Sequence, residues 1–266
     1  MFTENLVFKN SERILQLKNK HKDARIFCLG NGPSLKKTDL ALLKNEIVIG
    51  SNHVNKVFVD YGFFPQYCCI TDRNRILELR EDELVIKSSS VIISDHMSLI
   101  PDSNFFSQNE KDNYIFVGRL PKRIFSPFQS LISLLPISYR GYDIRERWVR
   151  RFFADTNRFS FDLLEGVNFG SSVIFTTIQL AAYMGASEIY ILGVDADYTT
   201  GGQYCFEPNK SNFYTDPEFM ADPLKFMNPY FYIFRDELGK KGIKLFNATI
   251  GGRLDSLDRR DFYSLF

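Results

Sequence analysis

The sequence predicts an α/β fold: a mostly parallel sheet with helices on both faces and a small lid region. Three observations predict it. Apolar runs of strand length alternate with helical patterns along most of the chain. Polar residues stand just past successive strand runs, at Asn31, Asn52, Asp72 and Asp95, the edge where such a sheet meets a ligand. The first run, Ile26-Phe27-Cys28-Leu29, closes on Gly30-Asn31-Gly32-Pro33-Ser34, and glycines there let backbone approach a phosphate without a Cβ in the way.

The elements follow in order. Leu6, Ile14, Leu15 and Leu17 among charges predict a surface helix over 5–20. Arg25–Leu29 is strand one, and a short helix is expected near Thr38–Lys44. Glu46–Ser51 and Pro65–Ile70 are strands two and three, followed by a charged helix over Arg73–Leu84. Ser90–Ser94 and Tyr114–Val117 are strands four and five. Gly170-Ser171-Ser172 then opens a helix over Val173–Gly185, with Ser171 or Ser172 as N-cap and Gly185 as the stop. Glu188–Leu192 is the sixth strand, closing on Gly193-Val194-Asp195-Ala196-Asp197-Tyr198. Pro223–Lys241 reads as a helix and Ile243–Asn247 as the last strand. The layout is Rossmann-like, and residues 1–266 read as one domain for a nucleotide or other phosphate-bearing ligand.

Two stretches interrupt the alternation. Residues 119–153 interleave basic residues such as Arg119, Lys122 and Arg123 with aromatic and aliphatic ones. This insertion is either an amphipathic excursion with a solvated basic face or an element that meets an acceptor or an anionic membrane. Residues 199–222 are polar and aromatic with two glycines, a lid pattern.

Composition narrows the partners. With 33 Lys+Arg against 32 Asp+Glu the chain is almost neutral, so no nucleic-acid partner is expected. The 26 phenylalanines suit a thick core, an apolar lid or a membrane-facing patch. The four cysteines make no C-x-x-C pair and sit mostly in apolar runs, as small hydrophobes in a reducing compartment do. No leader pattern and no run long enough to cross a membrane is visible, and a cytoplasmic place, peripheral at the inner face of the membrane, is expected.

Three constellations carry chemistry. The Gly30–Ser34 turn lacks the Lys of a P-loop and the third glycine of a dinucleotide fingerprint. Gly170–Ser172 at a helix start is a second seat for an anion. Asp195 and Asp197 either hold a divalent cation, since alternate residues of an extended segment share a face, or one of them orients backbone N–H groups or a ligand hydroxyl while the other faces solvent.

In order and spacing, Gly30-Asn31-Gly32-Pro33-Ser34-Leu35, then Phe169-Gly170-Ser171-Ser172-Val173 with Gln179-Leu180-Ala181-Ala182-Tyr183-Met184-Gly185-Ala186, then Glu188–Asp195 with Tyr198 beyond, resemble the bacterial lipooligosaccharide sialyltransferases. They also resemble a broader group that holds the motility-accessory glycosyltransferases and the 6-hydroxymethylpterin diphosphokinases, to which Phe246-Asn247-Ala248-Thr249-Ile250-Gly251-Gly252 is closer. The resemblance covers residues 25–100 and 168–252. It implies an inverting glycosyltransferase that uses a CMP-activated sialic-acid-like donor, needs no metal or other cofactor, and acts on a cell-surface glycan or lipid-linked acceptor. It further implies a homo-oligomer.

Carried over by motif, Asn31, Gly32, Pro33 and Ser34 would line the phosphate and ribose of the nucleotide. Asn52 and Asp72 would contact it from the next two strands, Ser171 and Ser172 would lie beside the base or sugar, and Asp195 near the ribose or base. Tyr198 and Tyr204 would hydrogen-bond the departing phosphate as its charge grows. The sialyltransferases carry a lid His as general base, and this chain has no His between 199 and 240. The equivalent position falls around Asp222–Lys225, so Asp222 is the candidate, with His53 and His96 at strand ends as substitutes. Two other readings stay open: a Mg²⁺-dependent pterin-type diphosphokinase using ATP, with Asp195 and Asp197 on the metal, and a nucleotide-binding protein without catalysis.

Overall fold

In the computed structural model, residues 4–71, 88, 90–94, 114–120, 158–198, 204–205 and 217–266 are described. A seven-stranded sheet runs in the order β5-β4-β3-β2-β1-β6-β7. Its strands are β1 (Arg25–Leu29), β2 (Ile47–Ser51), β3 (Tyr67–Ile70), β4 (Ser90–Ser94), β5 (Tyr114–Val117), β6 (Glu188–Leu192) and β7 (Lys244–Asn247). Every pairing is parallel. The chain builds outward from β1 to β5, then crosses back to lay β6 on the other side of β1. That reversal puts a crevice between the ends of β1 and β6, where open α/β sheets bind ligands.

Alternation along the strands divides the core in two. Ile26 and Cys28 of β1 face one side, with Ile49, Cys69, Ile189 and Ile191. Phe27 and Leu29 face the other, with Val48, Tyr190, Leu192 and Phe246. Helices α1 (Glu4–Leu17), α2 (Ile174–Tyr183), α3 (Pro217–Ala221) and α4 (Pro223–Gly239) are the α-helices among the described residues. All ten residues of α2 are buried, which is what an all-round apolar helix requires. It lies between the sheet and α4.

The phenylalanines go into these cores. Phe175 of α2 meets Phe231 of α4 at 4.7 Å between centroids, and Phe234 meets Phe159 at 4.8 Å. On the opposite face Phe27, Tyr190 and Phe246 stack as a row across β1, β6 and β7, each pair 5.3 Å apart. Phe266 continues the row at 6.0 Å from Phe27. Of the destinations open to the aromatic surplus, the described residues show the thick core.

Both sheet edges are covered. The Asn10 amide acts as an extra strand residue against β5, donating to the Phe116 carbonyl at 2.9 Å and accepting from the Phe116 N–H at 2.8 Å. Past β7, Asn247 pairs with the returning C-terminal segment through Asp258 and Arg260. Unpaired edges invite strand addition, and these contacts close them.

Several expectations shift. The short helix expected near Thr38–Lys44 is a 3₁₀ turn over Leu40–Leu43, and a further 3₁₀ turn, Pro33–Lys37, precedes it. Pro33 starts the first turn directly after the glycine turn, and Asp39 caps the second by accepting from the Ala41 N–H. Neither Ser171 nor Ser172 caps α2 with its side chain; Val173 holds that position. Gly185, at φ 89°, does end the helix region. The charged helix over 73–84, Asp72, Asp95 and His96 lie outside the described residues. So do residues 121–153 of the basic insertion, and 199–203 and 206–216 of the lid. No helix among the described residues is long and apolar enough to cross a membrane.

Gln179 ties the loop before α2 to the helix. Its side-chain oxygen accepts from the Ser160 and Asn168 N–H groups at 3.0 Å each, and its amide donates to the Asn168 and Phe175 carbonyls at 2.7 Å each. Leucine fills the same space but leaves buried donors bare, at roughly 1–3 kcal/mol each. Gln179→Leu is expected to lower the urea midpoint by an amount equal to about 3 kcal/mol with the slope unchanged; an unshifted midpoint would show that the bonds are dispensable.

Candidate active site

The site is built from turns at the carboxyl ends of β1, β2, β6 and β7. The β1 and β6 turns lock together through backbone. Gly30 N–H donates to Leu192 O and Gly32 N–H to Gly193 O, both at 2.8 Å. The Ser34 hydroxyl donates to Asp195 Oδ2 at 2.8 Å and the Ser34 N–H to Asp195 Oδ1 at 3.2 Å. Gly32 has an ordinary φ of −69°, so conformation does not demand glycine there. Space does: a Cβ on Gly32 would sit 1.9 Å from Asp195 Oδ2. Gly193 needs both freedoms, with φ at 66° and Leu35 2.7 Å from any Cβ.

Asp195 therefore closes the turn. Burial holds its carboxyl above the ordinary range, Asp197 adds to the rise, and the two Ser34 donors oppose it. The β7 turn covers it from the other side: Arg253 N–H donates to Asp195 O at 2.7 Å, and Thr249 Oγ1 accepts from Val194 N–H at 3.2 Å. Asn247 and Arg259 shape that turn. Asn247 binds Leu254 O and Thr249 N–H, and the Arg259 guanidinium donates to the carbonyls of Thr249, Gly251, Gly252 and Leu254. Local pattern gave no sign of Arg259, whose partners lie up to ten residues upstream. A pocket of about 240 Å³ opens beside it, lined by Thr249, Gly251, Arg259, Arg260 and Phe262 among others.

The extended segment on which the paired-carboxylate reading rests is interrupted. Ala196 stands at φ 50°, left-handed backbone that breaks the alternation needed to set Asp195 and Asp197 on one face. With Asp195 turned into Ser34, the pair does not fit a Mg²⁺ seat, which calls for carboxylate oxygens free to converge on the ion.

Asn31 and Asn52 do come together. They stand three residues beyond the Cys28–Ile49 pair on neighbouring parallel strands. The Asn31 amide donates to Ser51 Oγ at 3.0 Å, and the Ser51 hydroxyl donates to Leu29 O at 2.7 Å. Asn52 is left-handed at φ 47°, a conformation that asparagine tolerates. The side-chain oxygens of both are buried with no hydrogen-bond partner. A bare buried acceptor costs about 1–3 kcal/mol, and two stand at the carboxyl edge of the sheet. Ser51, the buried polar residue at the end of an apolar strand, is a site residue that the sequence reading passed over.

The remaining candidates are spread around this centre. Cys205 N–H donates to Asn31 O at 2.7 Å, which brings Tyr204 beside the β1 turn. Burial pushes the Cys205 thiol up to about 12, as it does Cys28, so neither serves as a nucleophile at neutral pH. The Tyr198 ring packs 5.7 Å from Phe219 of α3. Ser171 donates to Phe226 O at 3.2 Å, tethering the start of α4 to the Gly170 turn. Asp222 is exposed at the N-cap of α4, one turn from Phe226, and its side chain makes no cap bond. His53 is buried at the end of β2.

A protein-family model described as 6-hydroxymethylpterin diphosphokinase MptE-like matches residues 1–201. The chain belongs to this MptE-like family. Its fold resembles that of the MAf glycosyltransferase from Magnetospirillum magneticum AMB-1, with TM-score 0.51 and 14% identity, over 97% of this chain and 39% of that one. The chain thus spans well under half the length of that protein. The sialyltransferase CstII from Campylobacter jejuni, solved with the substrate analogue cytidine-5′-monophosphate, aligns at TM-score 0.43 and 16% identity, over 91% of this chain and 88% of that one. No curated protein matches the chain.

Two outcomes test the β1–β6 clasp. Gly32→Ala should displace Asp195 and cost about 1–3 kcal/mol of stability, read from denaturant unfolding. A wild-type midpoint would mean that the turn has slack. The raised Asp195 carboxyl also has a sign: the folded chain favours the protonated form, so this group's contribution falls as pH rises from the ordinary value of 3.8 toward the folded value. Wild type should lose stability relative to Asp195→Asn across that window; a constant difference between the two would count against the assignment.

Proposed function

We propose that the protein is an inverting, metal-independent glycosyltransferase. It moves a sialic-acid-like nonulosonic sugar from a CMP-activated donor onto a cell-surface glycan or lipid-linked acceptor. The observation that carries this reading is the bond from Cys205 N–H to Asn31 O, which holds the backbone of the 199–222 segment against the glycine turn, one residue from Tyr204. A departing nucleotide phosphate gathers charge as the glycosidic bond breaks, and a tyrosine O–H from a covering segment is a donor suited to that moment.

The chain's own groups divide the work. Asn31, Gly32, Pro33 and Ser34 line the phosphate and ribose of the nucleotide, Ser171 and Ser172 flank the base or sugar, and Tyr198 and Tyr204 donate to the leaving phosphate. The acceptor oxygen attacks the anomeric carbon as its bond to the phosphate oxygen breaks. The electron pair leaves on CMP, and Asp222 takes the acceptor proton late in the step. Asp222 suits this role because it is exposed at the start of a helix tethered to Ser171. Asp195 acts as a positioning residue that keeps the β1 turn in shape.

Family membership favours a second reading, a diphosphokinase that transfers pyrophosphate from ATP to a pterin-like alcohol. That chemistry concentrates polyphosphate charge and calls for a divalent cation, for which the Asp195–Asp197 geometry is ill suited. A thermal-shift screen of CMP, CDP, UMP, GDP and ATP, each with Mg²⁺ and with EDTA, separates the two. Stabilisation by CMP that persists in EDTA is the expected result. Stabilisation by ATP only with Mg²⁺ would establish the second reading. Tyr198→Phe and Tyr204→Phe should each lower kcat on the order of a hundredfold with donor affinity kept; unchanged turnover would remove them from the mechanism.

A further inference from the structure

The C-terminal segment lies along the free edge of β7, with Arg259 opposite Asn247 in parallel register. The Asn247 N–H donates to Asp258 O and the Arg260 N–H to Asn247 O, both at 2.9 Å. Past this short pairing the two chains part. Thr249 and Gly251 stand on one wall of the pocket between them, and Arg260, Asp261 and Phe262 on the other. The pocket thus lies on the opposite edge of β7 from β6 and Asp195, and no residue of the glycine turn lines it. Its two arginines have separate duties. Both terminal nitrogens of Arg259 are spent on carbonyls of the β7 turn, so this cation gives fixed charge and a rigid wall. The Arg260 guanidinium carbon lies 4.5 Å from the centre of the Phe246 ring, which is itself stacked on Tyr190. Among the described residues the Arg260 guanidinium makes no hydrogen bond or ion pair.

We propose that this pocket binds a small hydroxylated oxyanion, a sugar phosphate or a sugar acid, with Arg260 pairing with the anion and Asp261 accepting from its hydroxyls. A planar cation held on an aromatic face keeps its edge N–H groups for a forked pair with an oxyanion. Two arginines outweigh one aspartate along the lining, so the local field favours an anion. Bare phosphate would meet the Asp261 carboxylate unfavourably, whereas a hydroxyl brings the donor that a carboxylate takes. Size points the same way. About 240 Å³ falls below the roughly 300 Å³ at which sites for drug-sized ligands begin, so one sugar unit suits the pocket and a nucleotide does not. The proposal goes beyond the nucleotide reading and does not rest on it.

Calorimetric titration of the full chain with glucose 1-phosphate, glucuronic acid and glucose, with and without CMP, tests it, and far-UV circular dichroism is the folding control. Wild type should bind at least one of the two anions at millimolar concentration or below, and about tenfold or more tighter than glucose, whether or not CMP is present. The anion preferred tells phosphate from carboxylate. Arg260→Leu, which keeps apolar cover on Phe246, should weaken that binding about tenfold or more. Arg260→Lys, which keeps the charge and loses the fork, should weaken it severalfold, and it carries the test if Arg260→Leu does not fold. Binding of neither anion, or binding equal in wild type and both variants, overturns the proposal. Binding abolished by CMP overturns it too and puts the anion in the nucleotide site, so the nucleotide reading survives. Failure of that reading in the thermal-shift screen would leave this pocket's result unchanged.

Discussion

The rest of the candidate site depends on one contact, the closure of the β1 turn on Asp195. Two strand ends meet at the point where the sheet reverses direction, and each must give up side-chain volume for the other. Gly32 yields its Cβ to the Asp195 carboxylate, and Gly193 yields its own to Leu35. In return the carboxylate takes both the hydroxyl and the N–H of Ser34. A charged group enters a half-buried crevice, and the two donors offset part of the desolvation that this brings. The β7 turn then rests on the Asp195 carbonyl, and the Tyr204-Cys205 segment on the Asn31 carbonyl. Were the clasp looser, neither layer would have a fixed surface to dock on.

The two cores hold this edge steady from below. On one face α2 is buried on all sides and joined to α4 by edge-on phenylalanines; on the other a stacked aromatic row crosses β1, β6 and β7. Both lie beneath the strands that carry the clasp. Aromatic packing at these distances favours particular ring angles and resists sliding. The bare oxygens of Asn31 and Asn52 are tolerated at an edge so supported, as strain and unmet bonding commonly are where a ligand is to be received. The left-handed residues Asn52 and Ala196 fall at the same edge.

Much of this was legible in the chain. Seven strands read from alternating apolar runs appear within one or two residues of their expected bounds, because strand period and turn chemistry are local properties. The glycine turn, its two partner turns and the neighbouring asparagines were visible for the same reason: Gly marks close approach or left-handed backbone, and Asn tolerates the latter. The readings that failed were the ones that extended a local rule past its range. Thr38–Lys44 has helical composition, yet the Asp39 cap starts only a short 3₁₀ turn over Leu40–Leu43. Asp195 and Asp197 have the spacing of a shared face in extended backbone, yet Ala196 between them is left-handed at φ 50°. Ser171 has the chemistry of a cap, yet its hydroxyl is drawn to a carbonyl on a helix 55 residues away.

The sequence by itself determined the alternation of strands and helices, the places where backbone turns tightly, and the residue types available at the sheet's carboxyl edge. These follow from steric preferences that act over a few residues. Only the tertiary structure decided which polar groups satisfy one another and which have no partner within the described residues. Ser34 and Asp195 are 161 residues apart and meet because β1 and β6 pair in parallel register. Asn31 takes its orientation from a serine on the next strand, whose own proton is committed to the core. A side chain's hydrogen-bond partner is a matter of distance in space, and distance in space is set by the register of the sheet.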